Sequence, residues 1–383
     1  MFRRLRQMLL LVGVAFLVLI GVYLSEMILR NDMTTNVGDF ISSFGGDGYP
    51  IPLPGGVIRD VNPMGSNLTV LNDTNLYIYS KNGKQLQNVQ QMTDKTIVHT
   101  SGNRALAYDY GAKTVSIHSG GRMLQKHELD ETVLGADLGE GGEYAIITSP
   151  RHYIACVTAY NDKFMPMMHW YSPEQFVLGV SVAPRGNMMV VAAIDGEDGV
   201  LESELHFLRF GQEKEVAIVS IEDELVTWLD FHTENRLAVL TEKAFRLYDQ
   251  NGRQTAIYTL PQDSSLVMFE SNGDRTLIVC GTHGTREFVL IMLDAQGREV
   301  ATTKFEGRLI DLALANRDSY LLTDKGILHY NTMLEQRSLG EAHGTQRIIW
   351  VENRLYCLTA DEIAIYGEDK QVAEKKAEEE APE

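Results

Sequence analysis

The stretch RLAVLTEKAFRLYDQNGRQTAIYTL (residues 236–260) sets out a complete structural phrase. An apolar run comes first, then a second strand-like run ending at Tyr248, then the polar turn DQNGR, then a third run. LTVLNDTNLYIYSKNGKQLQNV (68–89) repeats it nearly element for element. Short β-like runs broken by Asn-Gly pairs read as hairpins, because such pairs supply the positive φ that a tight turn requires. Variants of the phrase return at 105–129, 276–305 and 320–339, with turns SGGR and AQGR in two of them.

Each phrase is preceded by a further apolar run, read as an innermost strand. These runs are IVHT (97–100), VLGADL (133–138), FVLGVSV (176–182), LVTWLDF (225–231), LVMF (266–269), LIDLALA (309–315) and RIIWV (347–351). Equivalent turn glycines are 38 residues apart from Gly83 to Gly121 and 45 apart from Gly252 to Gly297. Four strands in roughly 35–48 residues is the period of a β-propeller blade. A pair of β-sandwiches would explain the turns but not the even spacing. The expected fold is therefore an all-β propeller. Unit boundaries fall near 57–90, 94–129, 132–173, 174–221, 224–261, 264–305, 307–341 and 346–367. That makes eight blades, and a count of seven stays open.

The last unit supplies only three strands, and an uncovered blade edge is an aggregation hazard. GGDGYPIPLPGG (45–56) offers a cover. Tyr49–Leu53 would pair on the outside of the last blade. Pro50 and Pro52 share one parity, so both missing N–H groups would face water, as an edge strand tolerates.

Ahead of that segment, MFRRLRQ is basic and Met8–Leu24 is an uncharged run of seventeen residues. Seventeen residues reach about 26 Å as a helix, the short end of a bilayer span. The run is longer than a signal-peptide core, and no A-x-A site follows it. The arginine cluster holds the N-terminus in the cytoplasm and puts the rest outside. The expected organisation is a basic segment 1–7, a transmembrane anchor 8–28 and a linker 29–45. A propeller follows over 46–367, with 46–56 as its closing strand, and then an acidic disordered tail 368–383.

Net charge is −18. With the first thirty residues and the tail set aside, 44 acids face 27 bases, so the body itself is acidic. That excludes nucleic acid as a partner, since phosphate binding rests on clustered Lys and Arg. It also argues against a peripheral role on anionic lipid. Cys156, Cys280 and Cys357 lie singly in apolar runs and read as buried small hydrophobes, not as a disulfide framework or a zinc site.

No nucleophile elbow, Walker loop, HExxH or strand-linked GxGxxG is present. Met165, Met167, Met168 and His169 offer soft donors suited to Cu(I), and Asp195, Glu197, Asp198 and Glu202 cluster in one acidic loop. Both read more simply as an apolar outer strand and a solvated hairpin tip. Asn67 and Asn72 head glycosylation sequons but sit in or beside strands. Trp228 and Trp350 fall on innermost strands and Trp170 on an outer one. Asp137, Asp230 and Asp311 are acids inside otherwise apolar innermost runs, the only visible start for channel chemistry. No catalytic, cofactor-binding or metal residues are assigned, no cofactor is expected, and the small-molecule ligand is left unknown.

With the repeat in hand, the chain resembles a divergent, extracytoplasmic WD-repeat-like propeller. It lacks the Gly-His pair that opens such blades, and Tyr248-Asp249, Tyr79-Ser80 and Tyr330-Asn331 stand where Trp-Asp would be. The tryptophan motifs of quinone-cofactor propellers are missing too. The basic N-terminus, the single span, the GDGYPIPL segment (46–53) and the NGK/NGR turns are similar to a Gram-positive bacterial family known only as a domain of unknown function. That resemblance implies topology and fold and carries no activity. The expected function is a membrane-anchored, non-enzymatic binding or scaffolding module of the cell envelope. Its partners would be the bilayer, through Met8–Leu24, and other envelope proteins. A sensor or carrier holding a small ligand or metal in the central channel is the alternative. A hydrolase or lyase on the propeller face comes third.

Overall fold

A computed structural model describes residues 38–39, 43–90, 93–196, 201–281 and 285–367. The expected anchor, most of the linker and the tail lie outside these residues, and among the described residues no helix is long and apolar enough to cross a membrane. The described chain forms eight four-stranded antiparallel sheets. The blades span 58–90, 96–128, 132–172, 176–222, 226–259, 265–306 and 309–340, and the eighth takes 347–365 with Ile51–Pro52. The count is eight, and the open alternative of seven falls.

Burial follows strand position. Second strands are covered on both faces by neighbouring blades, so Asn67–Asn72 and Arg104–Asp109 are buried throughout. Such strands read as continuous apolar runs and not as alternation. Outer strands such as Gln85–Gln90 alternate and stay largely wet. Apolar packing is concentrated at the seams. Each of eight clusters joins two consecutive blades, from Leu71, Ile78 and Val98 between blades 1 and 2 to Ile58, Tyr77 and Tyr356 between blades 8 and 1.

Ile51 and Pro52 pair antiparallel with Ile363 and Glu362, and the Leu53 N–H donates to the Asp361 carbonyl at 2.7 Å. The N-terminal side of the domain thereby supplies the fourth strand of blade 8. The segment reaches further than one seam. The Tyr49 hydroxyl donates to the Ser80 carbonyl, and the Gly48 N–H donates to the Asn82 carbonyl, both on the turn of blade 1. The Asp39 carboxylate accepts from the Gly121 and Gly120 N–H groups and the Ser119 hydroxyl on the turn of blade 2. One strap therefore crosses blades 2, 1 and 8.

The recurring turn differs from the expected tight pair. At 80–84 and 249–253 only Gly83 and Gly252 take positive φ. The Gly N–H bonds back three residues, and the next residue's carbonyl accepts from Ser80 or Asp249. This is a type I turn closed by a glycine bulge, a three-residue hairpin loop. The polar residue after the strand-end tyrosine explains itself here. Asp249 Oδ1 accepts the N–H groups of Asn251 and Arg253, Asp294 and Asn331 do the same in blades 6 and 7, and Ser80 Oγ does it in blade 1. Such side-chain caps compete well with water for turn N–H groups.

Candidate functional site

The innermost strands of six blades slip by one residue against their partners near their start, for example between Val133 and Gly135 and between Val226 and Trp228. Bulges of this kind re-aim the residues that follow. Asn62, Asp137, Ser181, Asp230 and Glu270 then share one register position in blades 1, 3, 4, 5 and 6, and Asp60 and Asp311 lie one pleat earlier in blades 1 and 7. Repetition of the blade turns single acids into a ring around the axis.

The axis holds two cavities that share Asp60 and Asn62. One, of about 690 Å³, is lined by Asp137, Trp228, Asp230 and His232 among others. The other, of about 340 Å³, is lined by Arg59, Glu270, Asp311, Arg347 and Trp350. Of the three acids singled out from sequence, Asp137 and Asp230 meet on the first cavity and Asp311 stands on the second. Asp60 and Glu270 were missed: the apolar run 266–269 stops one residue short of Glu270. Register position relative to the bulge would have found both.

These carboxylates are crowded and like-charged. Burial pushes Asp230 up to about 7, with Asp137 adding to the rise. Burial, then Asp311 and Asp60, lift Glu270 to about 7. Glu270 is exposed on the second cavity, so the crowding is that of an open bore and not of a closed pocket. Asp311 rises to about 6 through burial, held back by the Ile348 N–H and Arg347. Asp137 is raised by burial against the pull of His99, whose Nδ1 lies 3.8 Å away. Burial also keeps His232 neutral, pushed down to about 4.

Part of the ring is committed to the fold. Asp137 Oδ2 accepts the Val182 N–H of blade 4, Ser181 Oγ accepts the Phe231 N–H of blade 5, and Asp311 Oδ2 accepts the Ile348 N–H of blade 8. Each is a latch from one innermost strand to the next. Two acid oxygens are thus spent on backbone donors that would otherwise be orphaned.

The other sequence candidates separate. Met168 packs inward at the seam of blades 3 and 4, Met165 and Met167 face solvent, and His169 Nδ1 bonds the Thr158 hydroxyl. Strand alternation splits the four donors over two faces. Asp195 and Glu202 pair across the hairpin of blade 4, while Glu197 and Asp198 lie outside the described residues. Among the described residues no group of three or more His, Cys, Asp or Glu is placed to hold a metal. Asn67 and Asn72 are buried, and Asn72 is spent on the Gly55 carbonyl and the Thr74 and Asn75 N–H groups. All three cysteines are buried and none forms a disulfide. Trp228 meets Phe269 edge-on at 5.0 Å and Trp350 stacks on Tyr320 at 5.7 Å.

No curated protein matches the chain. Solved structures do. BamB from Moraxella catarrhalis is 13% identical with a TM-score of 0.52, over 83% of this chain and 95% of that one. The Cps50 (Swd1) β-propeller domain from Myceliophteria thermophila is 13% identical with a TM-score of 0.52, over 82% and 97%. At that identity the likeness shows the propeller fold alone. A family model described as a family of unknown function, DUF5711, matches residues 58–366, from the first strand of blade 1 to the end of blade 8, and the chain belongs to that family.

Proposed function

We propose that this chain is a non-enzymatic, protein-binding module of the cell envelope, anchored through Met8–Leu24 with its propeller on the outer face. The observation that carries the binding reading is an apolar patch on the edge of blade 3. Met165 is 61% exposed, Met167 and Tyr171 face solvent on the same side of the outer strand Pro166–Ser172, and the Tyr171 ring stands 4.7 Å from that of Tyr153. Methionine and aromatic residues are the types enriched at protein interfaces, and a contiguous exposed patch of them needs a reason. The outer strand of blade 1, Gln85–Gln90, presents Gln and Asn instead, and those of blades 2, 4, 5 and 7 expose single apolar residues, Met123, Ile218, Ile257 and Leu339. Two of the channel acids already serve as seam latches, which supports a scaffold more than a set of free catalytic groups.

The test is recovery of crosslinked partners from the native membrane with the full-length protein and with a Met167→Asp/Tyr171→Asp variant. A partner held by the parent and lost by the variant is expected. No recovery above an anchor-only control would sink the reading. Protease added to intact cells should cut the propeller, and full protection would overturn the topology.

The cavity of about 690 Å³ favours a second reading, a small ligand held on the axis. Pockets of this volume suit small molecules. Thermal stabilisation by a saccharide, a peptide or a metal would support it.

A further inference from the structure

The seam between blades 7 and 8 is packed differently from the others. On each third strand several residues point at the preceding blade, and the middle one stands in register with the buried second strand. In blades 1, 4, 5, 6 and 7 it is Tyr77, His206, Arg246, Ile291 and Leu328. In blade 3 it is Thr158, backed by His169, and in blade 2 it is Ser116, beside a cavity of only about 40 Å³. Blade 8 has Ala364, opposite Cys357. Across the seam stands Gly340, where any Cβ would collide with the Tyr366 hydroxyl. The outcome is a cavity of about 320 Å³ walled by Ala342, Ala364, Ile365 and Tyr366, with the Cys357 side among them.

The rim has a sign. Glu341 and Glu362 both line the cavity from exposed positions, and the one base there, His343, is paired with Glu341 at 2.8 Å. The chain's own tail follows directly from Gly367 at this rim. It carries seven acids against three lysines, a net charge of the same sign as the rim.

We infer that the cavity between blades 7 and 8 is a binding site for a small organic amine, its apolar body beside Ala364 and its ammonium group at Glu341 and Glu362. Apolar walls give the favourable transfer, and the two rim carboxylates select the charge. The site shares no lining residue with either channel cavity or with the patch on blade 3, and stands whether or not either binds anything.

The experiment uses the full chain and two probes of matched shape, 2-phenylethylamine and 3-phenylpropionate, each at millimolar concentration in thermal melts. The amine is expected to raise the midpoint by a few degrees in a saturable way and the carboxylate to leave it unmoved. Ala364→Leu should fill the cavity and abolish the amine's shift, with the variant itself melting no lower than the parent. Glu341→Gln/Glu362→Gln changes only exposed side chains, so its folding is not at risk, and it should weaken amine binding about tenfold. No shift with the amine, an equal shift with the carboxylate, or a shift that survives Ala364→Leu overturns the assignment. Unchanged affinity in the Gln variant overturns it as well.

Discussion

Gly83 and Gly111 both hold positive φ, near 79° and 81°, but they stand in different company. A Cβ on Gly111 would meet nothing within 4 Å, whereas one on Gly83 would press to 2.5 Å on the Gly48 carbonyl oxygen and 2.8 Å on Ile51 Cγ2. Gly111→Ala should therefore cost only backbone strain, about 1 kcal/mol. Gly83→Ala should cost clearly more, roughly 2–4 kcal/mol, because it also lifts the strap from blade 1. Urea unfolding of the two variants side by side measures the difference, and equal losses would show that the strap does not bear on that turn. Sequence showed a glycine at this turn but gave the wrong reason for it. The asparagine was read as half of a tight pair, whereas the turn needs one left-handed residue and a polar cap. Blades 3 and 7 make the point without glycine: Phe164 and Leu334 take positive φ at the same place, and both pack into a seam. Burial of the side chain offsets the backbone cost there.

At the level of elements, the strap is the part to break. Ile51 and Leu53 sit in or against the cluster that joins blades 8 and 1, so the segment is core as well as edge. Deleting residues 46–55 removes the outer strand of blade 8, the Tyr49 ring against Tyr356 at 5.0 Å, and the contacts to the blade 1 turn. The expected outcome is a melting transition at least 10 °C lower, on the scale at which a few kcal/mol move a domain of this size. An unchanged midpoint would refute the clasp. That this segment closes the edge of blade 8 was legible from the proline parity and from the missing strand at the other end, although only Ile51–Pro52 pair where Tyr49–Leu53 was expected. The docking of Asp39 on the turn of blade 2 was not. It pairs one of the linker's two acids with two glycine N–H groups about eighty residues away, and no local pattern announces such a contact.

Over the whole molecule, the acid ring makes stability depend on pH. Asp230 and Glu270 near 7 and Asp311 near 6 lie above the ordinary carboxylate range of the unfolded chain. Groups with raised folded values contribute fully below their unfolded values, and that contribution is lost as pH rises through the folded ones. His118 and His232, pushed down to about 4 by burial, act in the opposite sense, but only below the ordinary histidine value near 6.5. The clean window is therefore pH 6.5 to 8. Across it the domain should lose on the order of 1 kcal/mol, after allowance for solvent screening of channel-facing Glu270. Asp230→Asn keeps an acceptor for its neighbours and removes the charge. It should melt higher than the parent at pH 8 and much closer to it at pH 6.5. A flat profile for the parent, or a variant weaker at pH 8, would contradict this account of the ring.

Blade number, strand order and the missing outer strand were all readable in the chain. They rest on short-range periodicity, which repeats eight times and so corrects its own errors. LVTWLDF and LIDLALA announce strands by their apolar runs, but these innermost strands line the channel and are only partly buried, whereas the second strands are covered throughout. The functional surface was only partly legible. Asp137, Asp230 and Asp311 could be named, but not the two cavities they divide between, nor the fact that Asp137 and Asp311 latch the next blade. Asp60, Glu270 and the alanine-floored seam of blades 7 and 8 appeared only in three dimensions. A ring of side chains, a seam or a void is a relation among residues tens to hundreds of positions apart. Local physics determines each strand, and closing the ring decides which strands meet.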